Sequence, residues 1–140
     1  MTQEDKQLLL KDLCERLPYG VMCDFAYKLG NPQKLLYVTP YDEKEQIHLD
    51  AKEYKFGNGS YGPSDFDVEY VKPYLRPMSS MTNTEEDEYM AARHKDIAEA
   101  YIHLTPQNAI DWLLAHHFDF RNLIEKGLAL EAPEDMYKTE

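Results

Sequence analysis

Residues 68–81 read VEYVKPYLRPMSSM, and the two prolines inside them decide how the chain is organised. Proline removes a backbone donor and locks φ, so neither Pro73 nor Pro77 suits a continuing helix or a central strand. On the N-terminal side the sequence is tyrosine-rich and strand-patterned. On the C-terminal side it is acidic and helix-patterned. This boundary predicts an α+β fold: an N-terminal helix, a small antiparallel sheet or SH3-like barrel, then two to three C-terminal helices. The 140 residues are expected to form a single domain, with a helix plus β-rich half in 1–76, a helical half in 77–130 and a tail at 131–140.

Working back from the boundary, Phe66, Val68 and Tyr70 alternate as a strand. The stretch 57–63 (GNGSYGP) reads as a loop, and Tyr54 and Phe56 suggest a further strand before it. Residues 34–39 (KLLYVT) are apolar on both faces, as in a central strand. Residues 40–45 read as a polar turn, and Ile47 and Leu49 mark a short strand beyond it. Val21, Cys23, Phe25 and Tyr27 share one face of a half-buried strand. At the N-terminus, Thr2 is a good N-cap, with Glu4 and Asp5 in the first turn. Leu9, Leu10, Leu13, Cys14 and Leu17 follow at helical spacing, and Pro18 stops the helix.

Working forward, Thr82 with Glu85, or Thr84 with Asp87, frames a helix running to about Leu104. Its expected inner face is Tyr89, Met90, Ile97, Ala98, Tyr101 and Leu104. Thr105-Pro106 restarts the chain into a helix whose inner stripe is Ile110, Leu113, Leu114 and His117. Asp119 is placed to cap a last short helix containing Leu123 and Ile124. Gly127 suits a left-handed stop, with Leu128 packing back on Leu123.

The formal net charge is −11, which argues against general nucleic-acid binding. Residues 82–140 carry 13 acids against 5 bases, so most of the imbalance sits in the helical half. It reads first as a solubilising face, and alternatively as a surface for a basic partner. Two cysteines, Cys14 and Cys23, make no disulfide framework; both read as small buried hydrophobes of a reduced, cytoplasmic protein. The N-terminal MTQEDKQ does not read as a signal peptide, and no apolar run approaches the ~20 residues of a membrane span.

Candidate chemistry is sparse. His116, His117 and Asp119 are the residue types of a zinc or iron site. Adjacent helical residues point about 100° apart, however, and no matching ligand offset exists, so they are weak metal candidates and no metal or cofactor is expected. The loop 57–63 lacks the lysine and serine or threonine of a phosphate-binding loop. Tyrosine is favoured at binding surfaces, and Tyr41, Tyr61 and Tyr74 fall in expected turns or loops. Arg76 sits in a conformationally fixed segment. There it would salt-bridge the acidic half or, alternatively, present its guanidinium to an anion.

Three segments carry a resemblance: DLCERLPYGVMC (12–23), YVKPYLRPMSSMT (70–82) and DWLLAHHFDFRNLIEKGLALEAPEDMY (111–137). They resemble a family of small cytoplasmic proteins of gut Bacteroidales and their phages and mobile elements. That family has no assigned activity, so the resemblance implies a cytoplasmic accessory protein and transfers no functional residue. The reading favoured by the sequence is a non-catalytic protein-binding or regulatory module using Tyr41, Tyr61, Tyr74 and Arg76, with a protein as partner and no membrane. The alternatives are a small metal-dependent enzyme using His116, His117 and Asp119, and an inhibitor that mimics nucleic acid with the acids at 85–88 and 131–135.

Overall fold

The computed structural model describes residues 2–25, 33–41, 44–49, 64–67, 71–102 and 107–137. The expected strand at Tyr54 and Phe56, the loop 57–63 with Tyr61, and the Thr105-Pro106 helix start lie outside these residues.

Helix α1 (Gln3–Arg16) begins at a capping box: the Thr2 hydroxyl accepts from the Asp5 amide, and the Asp5 carboxylate accepts from the Thr2 amide. It ends in a 3₁₀ turn (Leu17–Tyr19) closed by left-handed Gly20. Its buried face is Leu9, Asp12, Leu13 and Arg16. Cys14, expected on that face, is exposed instead. Asp12 and Arg16 occupy the inward positions i+3 and i+7 from Leu9, and these turn Cys14 away.

The sheet is mixed. Strands β1 (Met22–Phe25), β2 (Gln33–Tyr41), β3 (Lys44–Leu49), β4 (Ser64–Asp67) and β5 (Val71–Pro77) pair antiparallel in the order β4-β3-β2-β1-β5. Two short strands, β6 (Phe118–Asp119) and β7 (Leu130–Glu131), pair parallel to β5. Among the described residues no pairing joins β4 to the other end of the sheet, so closure into an SH3-like barrel is not seen there. The turn expected at 40–45 is shorter: β2 continues through Pro40, and Tyr41 pairs with Lys44.

The proline-containing stretch is itself the strand β5, with partners on more than one side, contrary to expectation. Its partner changes at the prolines. Pro73 is the last residue paired with β1, and Pro77 is the last residue of the strand. Between them, the Arg76 amide donates to the His117 carbonyl at 2.8 Å and the Leu75 carbonyl accepts from the Ala132 amide at 2.8 Å.

Helix α2 (Asn83–Ala100) starts at a second capping box, Thr82 with Glu85. Helix α3 (Asn108–Ala115) follows. In place of a third C-terminal helix, residues 120–127 form turns. Asp119 still accepts from the Leu123 and Ile124 amides at 2.9 and 3.0 Å. Gly127 is left-handed, and the Leu128 amide returns to the Leu123 carbonyl at 2.8 Å, a Schellman ending.

The core lies between α1, the sheet and the 123–129 turns, built from Leu9, Leu13, Val21, Cys23, Leu35, Val71, Leu75, Leu123, Leu128 and Ala129. Beside it runs a buried polar network. Arg16 Nε donates to Asp12 Oδ2 at 2.7 Å and Arg16 Nη2 to the Phe118 carbonyl at 2.7 Å. Arg121 donates to the other Asp12 oxygen at 2.6 Å and to Glu15. The Asp12 and Arg16 side chains are fully buried. Asp12→Ala would leave the Arg16 guanidinium buried without its counter-ion, and is expected to cost about 3–5 kcal/mol. Urea denaturation of the variant against the parent chain checks this, and a loss below about 1 kcal/mol would show that the network is not a keystone.

Candidate functional site

A cleft of about 720 Å³ lies between the end of β5, the start of α2 and the C-terminal segment. Arg76, Thr82, Glu85, His116, Glu131 and Tyr137 are among its walls. Arg76 donates to both Glu85 oxygens at 2.7 Å, the fork geometry of the strongest guanidinium–carboxylate pairs. Its guanidinium lies 4.2 Å from the centre of the Phe118 ring. The salt bridge to the acidic half expected of Arg76 is therefore present, and the guanidinium is committed to it. That hydrogen bonding holds the Glu85 carboxyl at about 2.

The sequence candidates separate. His116 stacks on Trp112, ring centres 4.2 Å apart, with Nδ1 3.9 Å from Glu85. His117 takes the left-handed conformation (φ 63°) just past α3, a position usually held by glycine, and reverses the chain into β6. Its ring is buried against Tyr137, centres 3.7 Å apart. Asp119 is spent on the two amides it caps. Three different tasks thus divide the three weak metal candidates, and among the described residues no three His, Cys, Asp or Glu side chains gather as a metal site.

Tyr74, expected on a surface turn, is 8% exposed within β5. Tyr41 ends β2 opposite Lys44; its side chain, like Tyr61, lies outside what is described. Cys23 is buried, and burial, then the charges of Asp12 and Asp24, push its thiol pKa up, away from nucleophilic thiolate.

Two features escaped the sequence. The first is the segment 131–137, expected as a tail. It docks, and the Tyr137 hydroxyl accepts from the Met22 amide at 2.9 Å and donates to the Tyr74 carbonyl at 2.7 Å. These are the residues next in register after Cys23–Pro73, so a side chain stands in for a rung of the β1–β5 ladder. The only sequence signal was an aromatic residue in an otherwise polar terminus. Tyr137→Phe removes this rung and leaves two backbone groups unpaired, an expected loss of about 1–3 kcal/mol in urea denaturation.

The second feature is the polarity of α2. Four of its six carboxylates face the body. Glu85 holds Arg76, and Glu88 accepts from the Trp112 indole at 3.3 Å. Asp96 accepts from the Asn108 and Ala109 amides at 2.8 and 2.9 Å, and Glu99 from the Asn108 side chain at 2.8 Å. Asp96 thus caps α3 from outside, where Gln107 supplies no side-chain cap. The expected inner residues Met90, Ile97 and Tyr101 point outward at 41%, 58% and 83% exposure. Ala98 is exposed too, Tyr89 is half-buried against Trp112, and Leu104 lies outside the described residues.

Acid should act on this architecture in two windows. His117 is buried as neutral imidazole, and burial, with Arg16 and His116 nearby, pushes its pKa from 6.5 to about 4. The unfolded chain therefore takes up that proton first. Stability present above about pH 6.5 is lost as pH falls toward about 4, by up to about 3 kcal/mol. Glu85, lowered from 4.5 to about 2, adds a second loss below pH 4.5. Urea midpoints followed across this range should show both. His117→Asn, which tolerates positive φ, should flatten the first window only.

No family model matches this chain, and no curated protein or solved structure is similar to it.

Proposed function

We propose that this chain is a non-catalytic protein-binding module that docks through the outward face of α2 and the start of α3. One observation carries the reading: α2 turns four of its six acids, Glu85, Glu88, Asp96 and Glu99, to the body and its apolar stripe to water. Met90, Ile97 and Tyr101 are spaced i, i+7 and i+11, which places them within about 40° of one another around the helix. Ile102 and Ile110 are also exposed, at 64% and 40%. Five of the seven large hydrophobic residues exposed among the described residues thus fall on one helical hairpin, the pattern of an interaction surface.

The proposal moves the binding surface from the tyrosines of the β-rich half to the helical half. The cleft supports it less well, because Arg76 with Glu85, and Tyr137 with the strand backbones, already satisfy one another there. Mimicry of nucleic acid is weakened in the same way, since Glu85 and Glu88 are turned inward. Cys14 and Cys23, which share no disulfide, suit a reducing cytoplasm as the working compartment. No described helix is long and apolar enough to cross a membrane.

A charge-neutral double variant, Ile97→Ser with Tyr101→Ser, tests the reading. Both side chains are exposed, so folding stability should stay within about 0.5 kcal/mol per substitution. Stoichiometric capture of a partner by the full chain from lysate of the source cells should be lost. Unchanged capture by the double variant would overturn the proposal.

A further inference from the structure

Resting on that docking face, we infer that its occupant is an amphipathic helix with a basic flank, supplied by another protein. Length and shape point to a helix. Met90 to Tyr101 spans eleven residues, about 16 Å of axial rise, which matches about three turns of a helix laid alongside. Anchors at this spacing are how one helix presents itself to another.

Charge identifies the flank. Glu86 and Asp87 lie four and three residues before Met90, exposed on the same side of α2 as the stripe, and make its N-terminal end acidic; Arg93, against Met90 and Tyr89, is the cation farther along that side. Neither acid belongs to the inward set that holds Arg76, Trp112 and α3. The chain as a whole carries −11, and residues 82–140 hold most of it. A second copy would bring a net charge of −11 to a chain that itself carries −11. An anionic bilayer would be repelled likewise by the net charge of −11 and by Glu86 and Asp87 at the end of the stripe. A cationic partner gains at the acidic end of the stripe what these two would lose. The apolar anchors then supply affinity, while the charges speed encounter and select the partner.

The test uses the full chain and a synthetic Leu/Lys amphipathic helical peptide, with a Leu/Glu peptide of the same apolar face as control. Binding is read by calorimetry at low and at physiological salt. The inference expects the Leu/Lys peptide to bind and the Leu/Glu peptide not to bind. It expects Ile97→Ser with Tyr101→Ser to weaken the complex by about tenfold or more. Glu86→Gln with Asp87→Asn should weaken it and flatten its salt dependence.

Equal binding of the Leu/Lys peptide to the double serine variant would mean charge attraction alone, and would overturn the inference. So would binding of both peptides alike. Sedimentation of the full chain as a dimer that the serine variant dissolves would overturn it in favour of self-association, and serine-sensitive binding to anionic vesicles in favour of a membrane. In those last two cases the docking face itself stands. If the serine variant changes neither peptide binding, self-association, vesicle binding nor lysate capture, both the inference and the docking face fall.

Discussion

The buried pairing of Asp12 with Arg16 and Arg121 is the constraint on which the other parts depend. One carboxylate in the interior faces two guanidinium groups, with Glu15 completing the charge balance at the edge. Such a network contributes little net stability over a well-packed apolar core, because desolvation offsets most of the attraction. It supplies direction. Leucines pack in many orientations, whereas the hydrogen bond from Arg16 to the Phe118 carbonyl, 2.7 Å, is directional. That contact fixes β6 beside the end of β5, where the Arg76 amide meets His117 and the Arg76 guanidinium lies over Phe118. From there Arg76 reaches Glu85, and the start of α2 is set. A chain of polar contacts therefore runs from the N-terminal helix to the proposed docking hairpin.

Helix α2 is unusual because packing an apolar face is what normally stabilises a helix of this length. None of its residues is fully buried. It is held by its capping box, by the Arg76–Glu85 fork and by carboxylates that satisfy the open amides of α3. These contacts need the inward face to be acidic, so the apolar residues can only face out.

Much of this fold was legible. Thr2, Pro18, Thr82 with Glu85, and Gly127 with Leu128 mark ends, and end signals are local chemistry that tertiary context seldom changes. The hairpin strands and the core positions Leu9, Leu13, Val21, Cys23, Leu113 and Leu114 follow from periodicity. What failed has one cause: periodicity assumes that apolar means inside. Arg16 and Asp12 are buried because they pair with each other, Cys14 is exposed as a result, and α2 is turned over because its acids have partners at Arg76, Trp112 and Asn108. Periodicity places His117 in an apolar stripe. It does face inward, but from a left-handed turn that histidine adopts only occasionally. None of these partnerships is visible without knowing which distant residues meet. The same blindness hides the proposed docking face, since periodicity assigns Met90, Ile97, Tyr101 and Ile110 to the core.

The prolines of β5 show how the body stays rigid under that face. A proline cannot donate to a ladder, so a strand holding two of them should lose partners. Here each loss falls where a partner leaves anyway. At Pro73 the strand β1 departs, and the Tyr137 hydroxyl, able to accept and donate at once, bridges the next pair of backbone groups. Beyond it β7 and β6 take over, until Pro77 ends the strand. The strand that carries Arg76 is thus held on successive residues by four separate segments. Arg76 anchors the start of α2, and Asn108 receives Asp96 and Glu99 near its end. A helix held near both ends by these hydrogen bonds presents its outer face in one orientation. A surface ordered in advance loses less entropy on association, so even a short apolar stripe of this kind can bind.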